Sequence, residues 1–277
     1  MGLLRDNDPA RLGLRVCANL EAMERPANDA PVFTEELRIH SYDADGSRRA
    51  TCPALFRYFL EAAWNHAEEL GFGFTNLRDQ GKFWVLGRFC FEVSQYAAWG
   101  SQATLRTWPR GLKSAFALRD FEFLDEAGGR FAAGSSAWLV VDSVSKRPQR
   151  LHKLLPSIAA LDGKAALGRD PEKLEDNEIW DSEFSLTVRY TDIDVNQHVN
   201  SARYVGWMLD AYPAGFHLEN SLAVLEVNYL SETLEGEPLT LRTRQTERSV
   251  YVHSLVKRSG AEVCRARLEW KAIQKNS

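Results

Sequence analysis

The order of elements along the chain predicts an α+β fold of two similar lobes, each an antiparallel sheet laid over one long helix. Three observations carry this. A strand, an amphipathic helix and a run of four strands occur in that order twice, over residues 31–142 and again over 181–277. Strands and helices do not alternate, as they would in a doubly wound parallel sheet. The tetrapeptide Thr-Leu-Arg-Thr recurs at 104–107 and 240–243, each time shortly after a turn glycine, a short internal echo of a duplication.

Residues 1–30 read as a polar extension, and 33–42 (FTEELRIHSY) as a first strand. Over 53–70, Leu55, Phe59, Ala62, Ala63, Ala67 and Leu70 fall at helical spacing. Pro53 is tolerated in a first turn and Gly71 can end the helix. Phe83, Val85, Phe89, Phe91 and Val93 then line one face of a strand, and further strands are expected near 102–109, 114–123 and 130–142, separated by the turns YAAWGS and DEAGG. Residues 143–180 read as a crossover linker, with Lys146, Arg147, Arg150 and Lys153 leading into a helix-compatible stretch over 151–163 and a charged PEKLEDNE. The second lobe, 181–277, opens with a strand near 184–190 and a helix over 201–212 with Tyr204, Val205, Met208 and Leu209 inward. Pro213 and Gly215 stop that helix, and strands follow near 222–231, 238–246, 249–258 and 262–272. In the last, Cys264, Ala266, Leu268 and Trp270 alternate with Arg265, Arg267, Glu269 and Lys271, the pattern of a sheet wet on one side.

Composition narrows the function classes. The 277 residues are 44% apolar and 26% charged, with 34 Lys and Arg against 38 Asp and Glu, so a polyanion would need a local basic patch and no nucleic-acid partner is expected. Cys17, Cys52, Cys90 and Cys264 lack the paired spacing of a metal site and are too sparse for a disulfide scaffold. A reducing, cytoplasmic location is expected, with neither metal nor cofactor. No apolar run approaches the roughly 20 residues that cross a bilayer.

The most informative stretch is YTDIDVNQHVNSARY, residues 190–204, where Asp192, Asp194, Asn196, His198 and Asn200 occupy every second position before an apolar helical stripe. Extended, the five would point one way. Wrapped around the helix entrance, the backbone donors of Val199, Asn200 and Ser201 would instead face a carbonyl or anion. Asn200 is a natural N-cap, and Asp192 a turn or supporting residue.

Residues 191–213, TDIDVNQHVNSARYVGWMLDAYP, resemble the Asp-x-Asn-x-His block and following helix of the acyl-acyl carrier protein thioesterases. Ala62 to His66, WVLGR at 84–88, YAAWG at 96–100 and SSAWLVVD at 135–142 extend the likeness over most of the chain after the extension. The resemblance implies a tandem hot-dog fold, and hydrolysis of a phosphopantetheine-linked acyl chain on acyl carrier protein to free fatty acid and carrier. It assigns catalysis to Asp194, Asn196 and His198, with Glu232 of NYLSETLEGE matching a further acidic residue. The family follows that Glu with Cys; this chain has Thr233, which excludes a Cys-His mechanism if the resemblance holds.

Glu232 would then position or deprotonate water, His198 share the proton relay, and Asn196 hold substrate or water. Asp194 would orient the network or, in a covalent version, attack the thioester to form an anhydride. The resemblance also places the acyl chain in the first lobe, making Trp64, Phe83, Trp84, Leu86, Phe89 and Trp138 candidates for its pocket or packing shell. Lys146, Arg147, Arg150, Arg110 and Lys113 could meet an acidic carrier or the phosphates of coenzyme A. The alternatives are an acyl-coenzyme A thioesterase and a non-catalytic acyl-binding protein. The first lobe shows no equivalent polar constellation, so one site per chain is expected, and exposed sheet edges would permit a homodimer.

Overall fold

The computed structural model describes residues 31–155 and 163–273; the expected extension over 1–30, most of the second half of the helix-compatible stretch, and Cys17 lie outside them. The first lobe comprises β1 (Phe33–Arg38), α1 (Cys52–Glu69), the short α2 (Phe74–Arg78), β2 (Lys82–Val93), β3 (Gln102–Lys113), β4 (Phe116–Leu124) and β5 (Arg130–Asp142). A four-residue α3 (Leu151–Leu154) opens the crossover. The second lobe comprises β6 (Ser182–Thr187), α4 (Ser201–Leu209), α5 (Ala214–Glu219), β7 (Asn220–Tyr229), β8 (Pro238–Glu247), β9 (Val250–Lys257) and β10 (Glu262–Ala272).

The two sheets meet edge to edge. Strand β2 pairs antiparallel with β7, Arg88 opposite Asn228 and Glu92 opposite Val224, giving a single sheet in the order β1-β3-β4-β5-β2-β7-β10-β9-β8-β6. Read outward from that seam, the strand order of one half repeats in the other. The duplication inferred from element order is therefore a two-fold arrangement of the sheet itself.

Helix α1 begins where Thr51 caps the Ala54 N–H at 3.2 Å, with Pro53 in the first turn where its missing donor costs nothing. Its stripe of Leu55, Phe56, Phe59 and Ala62 is fully buried. Phe59 stacks on Phe121 at 3.8 Å between centroids and Phe56 on Phe89 at 4.0 Å. Gly134 on β5 makes room for this cluster: a Cβ there would sit 2.1 Å from the Phe121 ring and 2.7 Å from the Cys90 carbonyl oxygen. In the second lobe, Thr243 faces His253 across the β8–β9 ladder as Thr107 faces Phe121 across β3–β4. Tyr212 Oη lies 2.8 Å from His253 Nε2, and Thr243 Oγ1 3.1 Å from Nδ1. Phe216 and Trp270, their centroids 4.8 Å apart, pack beside Tyr212. Burial holds the His253 imidazole down, from 6.5 to about 3, so it is neutral.

Three local expectations change. Strand β3 continues past Pro109 to Lys113 because the register slips between Pro109 and Gly111, and Gly111 takes φ 94°, a bulge that accommodates the missing donor. Helix α4 stops at Leu209, and Pro213 starts α5 instead of simply ending a helix. Arg110 and Lys113 are engaged within the chain: Arg110 ion-pairs with Asp120 and Asp170, and Lys113, still 65% exposed, with Asp170. Those contacts strap the crossover to the sheet, together with Trp108 Nε1–H donating to Lys164 O at 2.6 Å and the Leu174 N–H donating to Asn228 Oδ1 at 2.8 Å.

Candidate active site

The polar block is not extended. Tyr190–Asp192 forms a 3-10 turn, after which Ile193 and Val199 bridge each other. The Asp194 N–H donates to His198 O at 2.9 Å, and the Gln197 N–H to Asp194 O at 3.0 Å. Gln197 adopts φ 64°, the left-handed geometry a tight turn demands. Asp194 Oδ1 accepts the Asn196 N–H at 2.8 Å, an Asx turn. Asn200 caps α4 as expected, its Oδ1 accepting the Ala202 N–H at 2.9 Å.

Asp192 holds the loop from inside. Only 2% exposed, it accepts the Arg189 N–H at 2.7 Å on Oδ2, and Arg203 Nε–H at 2.7 Å and Nη2–H at 2.6 Å on Oδ1. The Val199 N–H donates to Thr233 O at 3.2 Å, tying the loop to the segment that follows β7. That tie brings the two ends of the candidate set together: His198 Nε2 lies 3.3 Å from Glu232 Oε2. Lys146, from the turn after β5 in the other lobe, lies 3.3 Å from Glu232 Oε1.

Asp194, Asn196, His198 and Glu232 all line one cavity of about 1120 Å³. From their end it extends into the first lobe, against α1 (Trp64), β2 (Phe83, Trp84, Leu86) and β5 (Trp138). Phe89 falls in the packing shell. It belongs to the packed cluster under α1 instead of the cavity wall, because its register on β2 turns it onto Phe56. Among the described residues no cysteine reaches the cavity: Cys52, Cys90 and Cys264 are buried elsewhere, and burial pushes the Cys52 and Cys90 thiols up to about 12. Thr233 does line it, fully buried, its hydroxyl beside the Tyr204 side chain. No group of three His, Cys, Asp or Glu side chains suited to a metal occurs among those residues, and no helix is long and apolar enough to cross a membrane.

The first lobe carries the same loop with other side chains. The Asp45 N–H donates to Arg49 O at 2.8 Å, the Arg48 N–H to Asp45 O at 2.9 Å, and the Ala50 N–H to Ala97 O at 2.8 Å. The Ser47 N–H donates to Asp45 Oδ1 at 2.9 Å, and Arg48 takes φ 59°. Buried Asp43 stands where Asp192 does, accepting from Tyr58 Oη at 2.6 Å and Arg57 at 3.2 Å. Ser47 replaces Asn196, Arg49 replaces His198, and Tyr96 replaces Glu232, so the backbone is repeated while the imidazole–carboxylate pair is absent.

Models of the acyl-ACP thioesterase N-terminal and C-terminal domains match residues 30–158 and 176–272. The chain belongs to the acyl-ACP thioesterase family. Its sequence is 26% identical to a chloroplastic palmitoyl-acyl carrier protein thioesterase of Arabidopsis thaliana over 90% of this chain and 66% of that protein. It is 28% identical to a dodecanoyl-[acyl-carrier-protein] hydrolase of Cinnamomum camphora over 87% of this chain and 68% of that protein. The chain thus spans about two thirds of the length of these relatives. The 12:0-ACP thioesterase of Umbellularia californica superposes with a TM-score of 0.80 at 25% identity, covering 87% of this chain and 98% of that one. An acyl-ACP thioesterase from Bacteroides thetaiotaomicron superposes at 0.79 and 24% identity, with the same coverage, and shares the fold. The α+β architecture is the tandem hot-dog of this thioesterase family.

Two cavity residues of this acyl-ACP thioesterase family member carried no site signal in the sequence. Lys146 read as one of several linker cations. Arg119, on β4, is a lone charge in an expected strand, yet it is 6% exposed and lines the cavity. Its Nη1 lies 3.1 Å from His66 Nδ1 and 3.3 Å from Thr107 Oγ1. Burial lowers its pKa from 12.5 to about 10.

Proposed function

We propose that this chain hydrolyses the thioester between an acyl chain and the phosphopantetheine arm of acyl carrier protein, releasing free fatty acid and carrier. The observation that carries the proposal is the His198–Glu232 pair, 3.3 Å apart, on the wall of a cavity of about 1120 Å³ that runs into the first lobe. Water held by the pair attacks the thioester carbonyl carbon as Glu232 and His198 take its proton, and negative charge moves onto the carbonyl oxygen. Collapse of the tetrahedral adduct breaks the C–S bond, and the proton returns to the departing thiolate through His198. Asn196 is the side-chain donor placed to hold the substrate. Asp194 has one oxygen committed to the Asn196 N–H at 2.8 Å, which favours an orienting role over direct attack on the thioester. The acyl chain occupies the first-lobe cavity, each further buried methylene contributing roughly 0.8 kcal/mol until the space ends. Arg147, Arg150 and Lys153 are exposed and offer cations to an acidic carrier.

The test is hydrolysis by purified protein across acyl carrier and acyl-coenzyme A substrates, with His198→Ala and Glu232→Ala alongside. Each substitution should lower kcat about 10²- to 10⁴-fold, the range for lost general acid–base catalysis. Unchanged turnover in both variants would refute the assignment, and faster turnover of acyl-coenzyme A would replace the carrier as substrate.

A further inference from the structure

We infer that Lys146 is a positioning residue for the catalytic carboxylate: the first lobe supplies it to hold Glu232 in the orientation that meets His198. The inference rests on the hydrolase reading above and extends it, because no residue of the first lobe has so far been given a part in the reaction's proton transfers.

Several independent features of one turn converge on this lysine. Glu232 is held from two sides, by Lys146 Nζ at 3.3 Å from Oε1 and by His198 Nε2 at 3.3 Å from Oε2. The carboxylate is 44% exposed, and no other described side chain pairs with it, so without the lysine only one contact would fix it. The lysine's backbone lies at φ 55°, a region a non-glycine residue occupies only when its surroundings impose it. Those surroundings are present. Asp142 Oδ1 accepts the Val144 N–H at 3.2 Å, the Ser145 N–H at 2.7 Å and the Ser145 hydroxyl at 2.8 Å. The Lys146 N–H closes the turn on Asp142 O at 3.0 Å. The ammonium is then steered over the face of Phe83, 5.2 Å from its centroid, and Phe83 is itself a wall of the cavity. A lysine serving only to attract a carrier would need none of this; Arg147, next in the chain, is exposed and is not among the residues at positive φ.

As an ion pair in water the contact contributes little stability, because both partners are half exposed. Its consequence is geometric. A carboxylate free to rotate spends most of its time away from His198, and misplacing a reacting group by an ångström lowers turnover without lowering affinity.

The experiment uses the full chain and an N-acetylcysteamine thioester of a medium-length fatty acid, which has neither carrier protein nor phosphate for a lysine to attract. Lys146→Met should lower kcat on it about tenfold with KM little changed, and Lys146→Arg should stay within about threefold of the parent. Asp142→Ala, which frees the turn and keeps the lysine, should reproduce part of the kcat loss. Arg258→Met, at an exposed cation in the turn after β9, should leave this substrate's turnover unchanged. If Lys146→Met turns over the small thioester like the parent and loses only on acyl carrier protein, the lysine serves docking and the inference falls. Glu232→Gln in the same assay separates the two levels. Wild-type turnover in that variant overturns the hydrolase assignment together with this inference, whereas loss in Glu232→Gln beside normal turnover in Lys146→Met overturns the inference alone.

Discussion

Replacing Arg119 with Met should stabilise the protein, against the usual sign for a buried-residue substitution. The guanidinium is 6% exposed, and desolvation lowers its pKa from 12.5 to about 10. At about 1.4 kcal/mol per pH unit, that difference amounts to roughly 3 kcal/mol of unfavourable charge burial. The sign follows from the direction: at pH 7 the group is protonated folded and unfolded, so the whole penalty is present, and it is relieved only as pH rises from about 10 towards 12.5. Against it stand hydrogen bonds to His66 and Thr107, worth about 1 kcal/mol each. Thr107 keeps a separate bond, its hydroxyl donating to Asp120 O at 2.9 Å. No carboxylate of a described residue pairs with Arg119, so the substitution strands no partner charge. Met, unbranched and adaptable, fills similar space. The expected net gain is about 1 kcal/mol, read as a higher urea midpoint at unchanged m. Because the side chain lines the cavity, KM for a saturated acyl chain long enough to reach it should fall as well. A loss of more than about 1 kcal/mol would show that the guanidinium is compensated by interactions this reckoning omits, and would refute it.

Asp192→Ala should cost about 2–4 kcal/mol of stability, because it unpairs Arg203 and the Arg189 N–H under the loop; a melting temperature equal to the parent's would contradict the supporting role. The second-lobe imidazole should make the fold acid-sensitive. His253 is depressed to about 3, so below pH 6.5 the unfolded chain binds a proton the folded one refuses, and stability falls by about 2 kcal/mol between pH 7 and pH 5. His253→Gln should flatten that dependence in urea titrations at the two pH values, and an unchanged slope would reject the cause. Thr233→Ala should keep substantial activity, since its hydroxyl lies beside the Tyr204 side chain and outside the His198–Glu232 pair; a loss like that of His198→Ala would assign it a catalytic part.

What the sequence made legible, and what it hid, divides along covalent distance. The helix over Leu55, Phe59 and Ala62 and the alternation from Cys264 to Trp270 are periodic patterns, and burial follows them. Asn200 capping α4 is a contact two residues long. The bulge at Pro109 and Gly111 was not legible, because a proline reads as a strand end until its neighbour strand is known. Nor were the partners of Arg110 and Lys113, since Asp170 lies 60 and 57 residues away, or of Lys146, 86 residues from Glu232. Phe89 stayed undivided between pocket and packing shell for a related reason: alternation says that a residue points inward, and only packing says whether inward means cavity wall or solid core. The first-lobe loop was not legible either, because a turn held by backbone bonds leaves no trace in side-chain identity.

That loop, present twice, separates shape from reaction. Residues 43–51 and 192–200 share a turn held by main-chain bonds and a buried aspartate, and only the outward-facing positions differ. Positions 196 and 198 are therefore free to change without asking anything of folding, as Ser47 and Arg49 already illustrate, whereas Asp194 and Asp45 both close the turn. A protein built this way can lose, move or acquire chemistry by replacing a few side chains on a frame that stands without them.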